Sequence, residues 1–232
     1  MNTKSLLKHS ARYLWRQWIK PFLVAAACVL PLKSAIADWN WVPTGSMKPT
    51  ILEGDLVFVN KLAYDLKVPF TFFRLAQWDN PKHGDIVVFF SPKEGTRLVK
   101  RVIACPGDTV EMRDNVLFLN GSKMMYEVAV ENPFASETYE DPHAIVAKEK
   151  SDETSHWVMG LPSRPALRSF PLTTVPQGQY FMMGDSRDNS FDSRFFSFVD
   201  RERIVGKTSR VILSLDKNHS YKPRLNRSFS VL

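Results

Sequence analysis

Two side chains in this sequence, a serine and a lysine, could together perform nucleophilic catalysis. Ser46 lies in Pro43-Thr-Gly-Ser-Met-Lys-Pro-Thr50, a turn-forming segment that holds a hydroxyl between Gly45 and Met47. A serine in such a Pro/Gly/Thr-rich turn is also an ordinary structural residue. Lys100 lies in the run Leu98-Val-Lys-Arg-Val102, where strand alternation puts it on the same face as the apolar Leu98 and Val102. Burial disfavours the ammonium, lowers the lysine pKa and leaves a neutral amine able to accept a proton. A serine hydroxyl needs such a base to become a nucleophile. The competing reading of Lys100 is an edge-strand lysine whose side chain reaches water and discourages edge pairing.

Other chemistries lack their residues. There is no His-Glu-x-x-His, Walker or dinucleotide glycine pattern, and Gly184-Asp-Ser-Arg-Asp-Asn-Ser-Phe-Asp-Ser-Arg194 does not have EF-hand spacing. His9, His83, His143, His156 and His219 are scattered, and no Gly-x-Ser-x-Gly elbow exists to pair with them. Two cysteines, Cys28 and Cys105, cannot make a disulfide framework or a four-ligand zinc site. No cofactor and no catalytic metal is called for.

The elements that must position this pair belong to a folded chain. Of 232 residues, 44% are hydrophobic and 24% charged, which excludes an unfolded chain, and 15 Pro against 10 Gly without a period excludes collagen-like and solenoid chains. The net charge of +7 is local, since Lys4, Lys8, Arg12, Arg16 and Lys20 stand in an acid-free stretch over residues 1–20. The remainder is nearly neutral and has no Lys/Arg stripe interleaved with aromatics, so a nucleic-acid partner is not expected.

After the basic stretch comes the apolar run Pro21-Phe-Leu-Val-Ala-Ala-Ala-Cys-Val-Leu-Pro-Leu32, then Lys33 and Ala35-Ile-Ala37. One reading is a secretory signal peptide with an A-x-A cleavage site. The other is a transmembrane anchor over residues 21–37, about 26 Å long as a helix against a hydrocarbon core of roughly 30 Å. Lys20 and Lys33 can extend to the interfaces, and Trp15, Trp18, Trp39 and Trp41 flank the segment like aromatic belts. The anchor reading leaves residues 1–20 as a basic cytoplasmic segment and exports the rest; either reading exports the body. The acid-free, amphipathic start also matches a mitochondrial presequence, and such a helix could lie on anionic lipid.

Residues 38–232 are long enough to bury roughly 70% of their unfolded surface. Short β-branched or aromatic runs at Leu56–Val59, Asp85–Phe90, Arg97–Ile103, Val116–Leu119, Gln179–Met183 and Arg210–Leu215 predict strands, and no convincing amphipathic helix lies between them. Asn120-Gly121 predicts a hairpin with a type I′ turn. The fold class is therefore mainly β: irregular antiparallel sheets, partly closed into a barrel, after one N-terminal transmembrane helix. Between about 126 and 176 the strand signals weaken. Glu127, Glu131, Glu137, Glu140, Asp141, Glu149, Asp152 and Glu153 crowd a Pro-containing region that reads as an inserted acidic subdomain.

Taken together the motifs resemble one family, the type I signal peptidases, Ser/Lys proteases of the bacterial cytoplasmic membrane that remove signal peptides. Gly45-Ser-Met-Lys-Pro-Thr50 resembles the nucleophile box, and Gly54-Asp-Leu-Val-Phe-Val59 resembles the strand that follows it. Lys100-Arg-Val-Ile-Ala-Cys-Pro-Gly-Asp108 resembles the general-base box, and Gly184 to Arg194 the C-terminal Gly-Asp-Asn-Arg-x-Asn-Ser-x-Asp-Ser-Arg box. The resemblance implies that Ser46 is the nucleophile, Lys100 the base and Ser190 the hydroxyl that orients the amine. It further implies an oxyanion hole from the Ser46 N–H and the Thr44 hydroxyl, an Asp192–Arg194 ion pair beside the site, and an Asp185 that closes the turn there.

Three departures stand out. Thr44 replaces a common Ser but keeps the hydroxyl, Ser186 replaces the usual Asn of the last box, and Cys105 fills a position usually small. The resemblance implies preprotein substrates cut after small-x-small (A-x-A) sites, with Val42, Pro43 and Val99 expected to line shallow apolar pockets. Val68-Pro-Phe-Thr-Phe-Phe73 is expected to touch lipid together with Trp39 and Trp41, or else to belong to the core. Ala35-Ile36-Ala37 would then be a candidate self-cleavage site. Two other readings are a secreted, non-catalytic β-domain delivered by a cleavable signal peptide, and a self-cleaving Ser/Lys repressor, which the lack of a DNA-binding helix pair disfavours.

Overall fold

Short runs of β-branched and aromatic residues form the strands of the body. The computed structural model describes residues 13–71, 73–130, 134, 143–151 and 154–232. In chain order the strands are β1 (Ala37–Trp41), β2 (Asp55–Asn60), β3 (Asp65–Lys67), β4 (Arg74–Gln77), β5 (Ile86–Phe90), β6 (Arg97–Ala104), β7 (Thr109–Arg113), β8 (Val116–Leu119) and β9 (Ser122–Lys123). They continue with β10 (Met125–Val128), β11 (Ile145–Lys150), β12 (Ser155–Gly160), β13 (Phe170–Thr174), β14 (Gln179–Met183), β15 (Val199–Asp200), β16 (Ile204–Asp216) and β17 (Lys222–Pro223).

The main sheet is antiparallel, in the order β1-β2-β16-β5-β6-β14-β15, with β17 on the far end of β16. It stays open, because β1 and β15 do not meet. Register shifts along β16, at Ile204/Gly206, Thr208/Arg210 and Val211/Leu213, bend this long strand so that it pairs with both β2 and β5. Its buried face carries Val87, Phe89, Val102, Tyr180, Met182 and Ile204. A second sheet, β13-β7-β8-β9, packs on Ile103, Phe181 and Met183 through Val110, Met112 and Leu117. Its β8–β9 hairpin turns through Asn120 and Gly121 at φ 51° and 77°, as the type I′ expectation requires.

The region read as acidic and weak in strand signal contains the sheet β10-β11-β12 and, after it, β13. β11 reads Ile-Val-Ala-Lys-Glu-Lys, and its one acidic residue, Glu149, is fully buried. A charge on the inward face hides the alternation that normally signals a strand. Glu131, Glu137, Glu140, Asp141, Asp152 and Glu153 lie outside the described residues.

The N-terminal segment departs from expectation. A π-helical turn, Trp15–Ile19, leads into a helix at Lys20–Ala35 that contains Pro31. That helix spans about 24 Å, and Ala37 has left it to pair with Asn60 in β1. Among the described residues no helix is long and apolar enough to cross a membrane. The helix end is instead tied to the body: Ser34 O accepts from Lys61 Nζ (2.9 Å), Ser34 Oγ from Phe70 N (2.7 Å), and Ile36 O from Lys61 N (3.0 Å). Lys4, Lys8, Arg12 and His9 lie outside the described residues.

Candidate active site

Only Val42 to Gly45 separate the end of β1 from Ser46, so the Ser46 loop is held at both ends by sheet. Val42 N donates to Asp55 O (2.9 Å), and Met47 and Ile51 are buried with Val42 in one cluster. Ser46 tops this turn, partly exposed. Lys100 rises from β6 with Leu98 and Val102 on its face, as alternation dictates, and it is 3% exposed. Because its side chain is buried, the reading of an edge lysine that reaches water does not hold.

The two meet. Lys100 Nζ donates to Ser46 Oγ at 2.6 Å and to Val99 O at 3.0 Å. Burial drives the amine pKa down to about 8; Asp192 and Asp185 pull it part of the way back up, and Arg194 opposes them. A neutral fraction is therefore present near pH 8, with its lone pair available to the serine proton.

Gly184 is the spacer that lets the last motif reach this pair. A Cβ there would lie 2.3 Å from both Ser46 O and Ser190 Oγ, and Ser186 N donates to Ser46 O at 3.1 Å. Ser190 Oγ is buried and makes no well-formed hydrogen bond; it helps to hold the Asp192 carboxyl below the usual range. The expected Ser190–Lys100 hydrogen bond is not formed, and Val99 O takes the second amine proton instead. Asp192 caps the short helix Ser193–Phe196, accepts from Gly184 N (3.0 Å), and pairs with Arg194 through two bonds of 2.8 Å. Burial pushes the Asp192 carboxyl up, but its bonds and charge contact with Arg194 outweigh this.

Asp185 does more than close a turn. It accepts from Arg101 Nε (2.9 Å), Arg101 Nη2 (2.7 Å) and Thr50 Oγ1 (2.5 Å), so one carboxylate joins the Ser46 loop, the Lys100 strand and the last motif. Sequence reasoning missed Arg101 and Thr50 here. The signal was available, because Arg101 follows Lys100 on the opposite, equally buried face and so needs an acid. The cleft around the pair is lined by Pro43, Thr44, Ser46, Leu98, Lys100 and Phe191. Of the three pocket residues expected, Pro43 lines it. Val42 is 5% exposed in the core, and Val99 packs against the same core cluster. Thr44 is exposed beside Ser46.

A family model described as signal peptidase, peptidase S26, matches residues 15–213. The chain belongs to this family. It is 33% identical to signal peptidase I of Pseudomonas aeruginosa, with 90% of this chain and 76% of that protein covered. Signal peptidase I of Aquifex aeolicus is also 33% identical, with 83% and 81% covered. A crystal structure of a signal peptidase I from Enterococcus faecalis shares 35% identity over 56% of this chain and 97% of that one, at a TM-score of 0.34. As an S26 peptidase the protein is a hydrolase, which sets aside the non-catalytic β-domain.

Proposed function

We propose that this S26 peptidase removes signal peptides from exported preproteins with Ser46 as nucleophile and Lys100 as general base. The observation that carries the proposal is the 2.6 Å bond between a serine hydroxyl and a buried lysine amine whose pKa lies near 8. Ser46 Oγ bonds to the scissile carbonyl carbon while its proton passes to Lys100 Nζ. Lys100 then gives that proton to the departing amine as the C–N bond breaks, leaving an acyl-enzyme. Water, deprotonated by the same amine, adds to the ester carbon and releases Ser46. The Ser46 N–H and the Thr44 hydroxyl are assigned to the oxyanion, where loss of one donor typically costs about 3 kcal/mol.

The substrate strand has a place to lie. β14 pairs with β6 only at Arg101 to Ala104, so on that side the Arg97–Lys100 edge is open to an extended peptide. Shallow apolar walls at Pro43 and Leu98 suit small residues before the cut, consistent with A-x-A sites. We read the body as the exported catalytic domain, the β10–β12 sheet as part of an insertion on it, and the N-terminal segment as its attachment to the cytoplasmic membrane, with the basic end inside. The chain's own Ala37–Asp38 bond lies within β1, paired to Asn60 and Val59, so self-cleavage there requires β1 to peel away.

Purified protein should cut a preprotein after its A-x-A site, and Ser46→Ala and Lys100→Ala should each abolish cutting while circular dichroism is unchanged. A near-normal rate in Lys100→Ala would remove the dyad assignment.

A further inference from the structure

Past the end of β6, on groups the mechanism does not use, three different metal-ligating side chains converge. His83 lies in the turn before β5; Cys105 and Asp108 bracket the turn between β6 and β7. One ligand atom from each lies within 4.8 Å of the other two. His83 Nε2 is 2.7 Å from Asp108 Oδ2, and both side chains are partly exposed, at 23% and 16%. Cys105 is a free, half-buried thiol.

The carboxylate is oriented in advance. Asp108 Oδ2 accepts from Cys105 N (2.7 Å), and Oδ1 accepts from Asn120 Nδ2 (2.8 Å), so a ligand oxygen is held in place by groups that do not ligate. The His83 turn is also fixed to β6 shortly before Cys105, since Gly84 N donates to Val102 O (2.9 Å). We propose that His83, Cys105 and Asp108 form a binding site for a borderline divalent cation of the zinc class.

The chemistry of the donors selects the cation. Imidazole nitrogen, thiolate and carboxylate together match tetrahedral zinc with water in the fourth place, whereas magnesium and calcium favour all-oxygen sets. On binding, the cation takes the place between His83 Nε2 and Asp108 Oδ2, the ring keeping its one proton on Nδ1 and any second proton passing to solvent, and the Cys105 thiol gives up its proton, now directed at Pro81 O (3.6 Å), to solvent. With metal–nitrogen and metal–oxygen bonds of about 2 Å, the ring need only draw back slightly from its hydrogen-bond distance. The site is independent of the Ser46/Lys100 assignment and stands or falls separately.

The test uses the full chain carrying Cys28→Ser, so that Cys105 is its one thiol, titrated with Co2+ under a thiol-free reductant. One equivalent should give a thiolate-to-cobalt charge-transfer band that Zn2+ displaces. Cys105→Ser should abolish the band, and His83→Gln, which keeps a hydrogen-bonding group beside Asp108, should weaken binding at least about tenfold. Absence of the band in the parent, or a band of unchanged affinity in His83→Gln, which marks a lone-thiol adduct, would overturn the proposal.

Discussion

On the proposed dyad, Lys100 sets the pH dependence. Its amine is charged below about pH 8 and neutral above it, so kcat/KM should rise as pH passes up through about 8 and level off above. Asp192 favours the ammonium, and Arg194 opposes it. Replacing Asp192 by Asn removes the first influence and leaves the second unbalanced, which moves the rising limb of the profile to lower pH. An unmoved limb in Asp192→Asn, measured on protein shown to be folded, would detach Lys100 from that titration. The same substitution strands the buried Arg194 and should cost about 3–5 kcal/mol of stability. Gly184→Ala probes a steric demand instead. With 2.3 Å to both Ser46 O and Ser190 Oγ, the added methyl must displace the nucleophile loop, and cleavage should fall by orders of magnitude even where the fold survives.

At the scale of elements, one buried ion network ties the β10–β12 sheet to the last motif. Arg187 gives two bonds of 2.7 Å to Glu149 of β11, Tyr126 of β10 gives a third (2.5 Å), and His156 Nε2 of β12 stands 3.3 Å away. Burial pushes the Glu149 carboxyl up, but Arg187 and His156 outweigh it and hold the group well below the usual range. Glu149→Ala therefore leaves a buried guanidinium unpaired and should cost about 3–5 kcal/mol in chemical denaturation, whereas Glu149→Leu with Arg187→Met should recover much of that loss. An equal loss in the double variant would show that packing at Glu149, not its charge, matters. This network also explains what the sequence left illegible. Strands β2, β5, β6, β8, β14 and the core of β16 are legible because each is a short β-branched or aromatic run bounded by turn residues, and Ser46 and Lys100 because the ordered motifs around them resemble one family. β11 is not, because Glu149 takes an apolar position and its partner stands far along the chain at Arg187. Pairings across long separations, such as Arg101 with Asp185, leave no periodic trace.

At the scale of the whole molecule, several exposed aromatics lie on two segments tied to the end of the N-terminal helix, β1 and the loop that holds Phe70. β1 turns Trp39 and Trp41 outward at 50% and 52% exposed, and the neighbouring Phe70, Phe73 and Trp78 are 72%, 68% and 54% exposed. The expectation that the Val68–Phe73 run belongs to the core thus fails for Phe70 and Phe73, while Phe72 lies outside the described residues. An apolar rim of this kind next to a helix exposing Phe22, Leu23 and Val24 suits the interface of a bilayer, where ring faces enter the acyl boundary and polar edges stay wet. Phe70 is bonded through its N–H to Ser34 Oγ, so the loop and the end of the helix would meet a bilayer as one surface. A truncated chain beginning at Ala37 should therefore still co-sediment with phosphatidylglycerol-containing vesicles, and Trp39→Ser, Trp41→Ser, Phe70→Ser and Phe73→Ser together should abolish that binding while cleavage of a short soluble peptide persists. If the truncated chain stays in the supernatant with these aromatics intact, attachment resides in the N-terminal segment alone and the rim has another role.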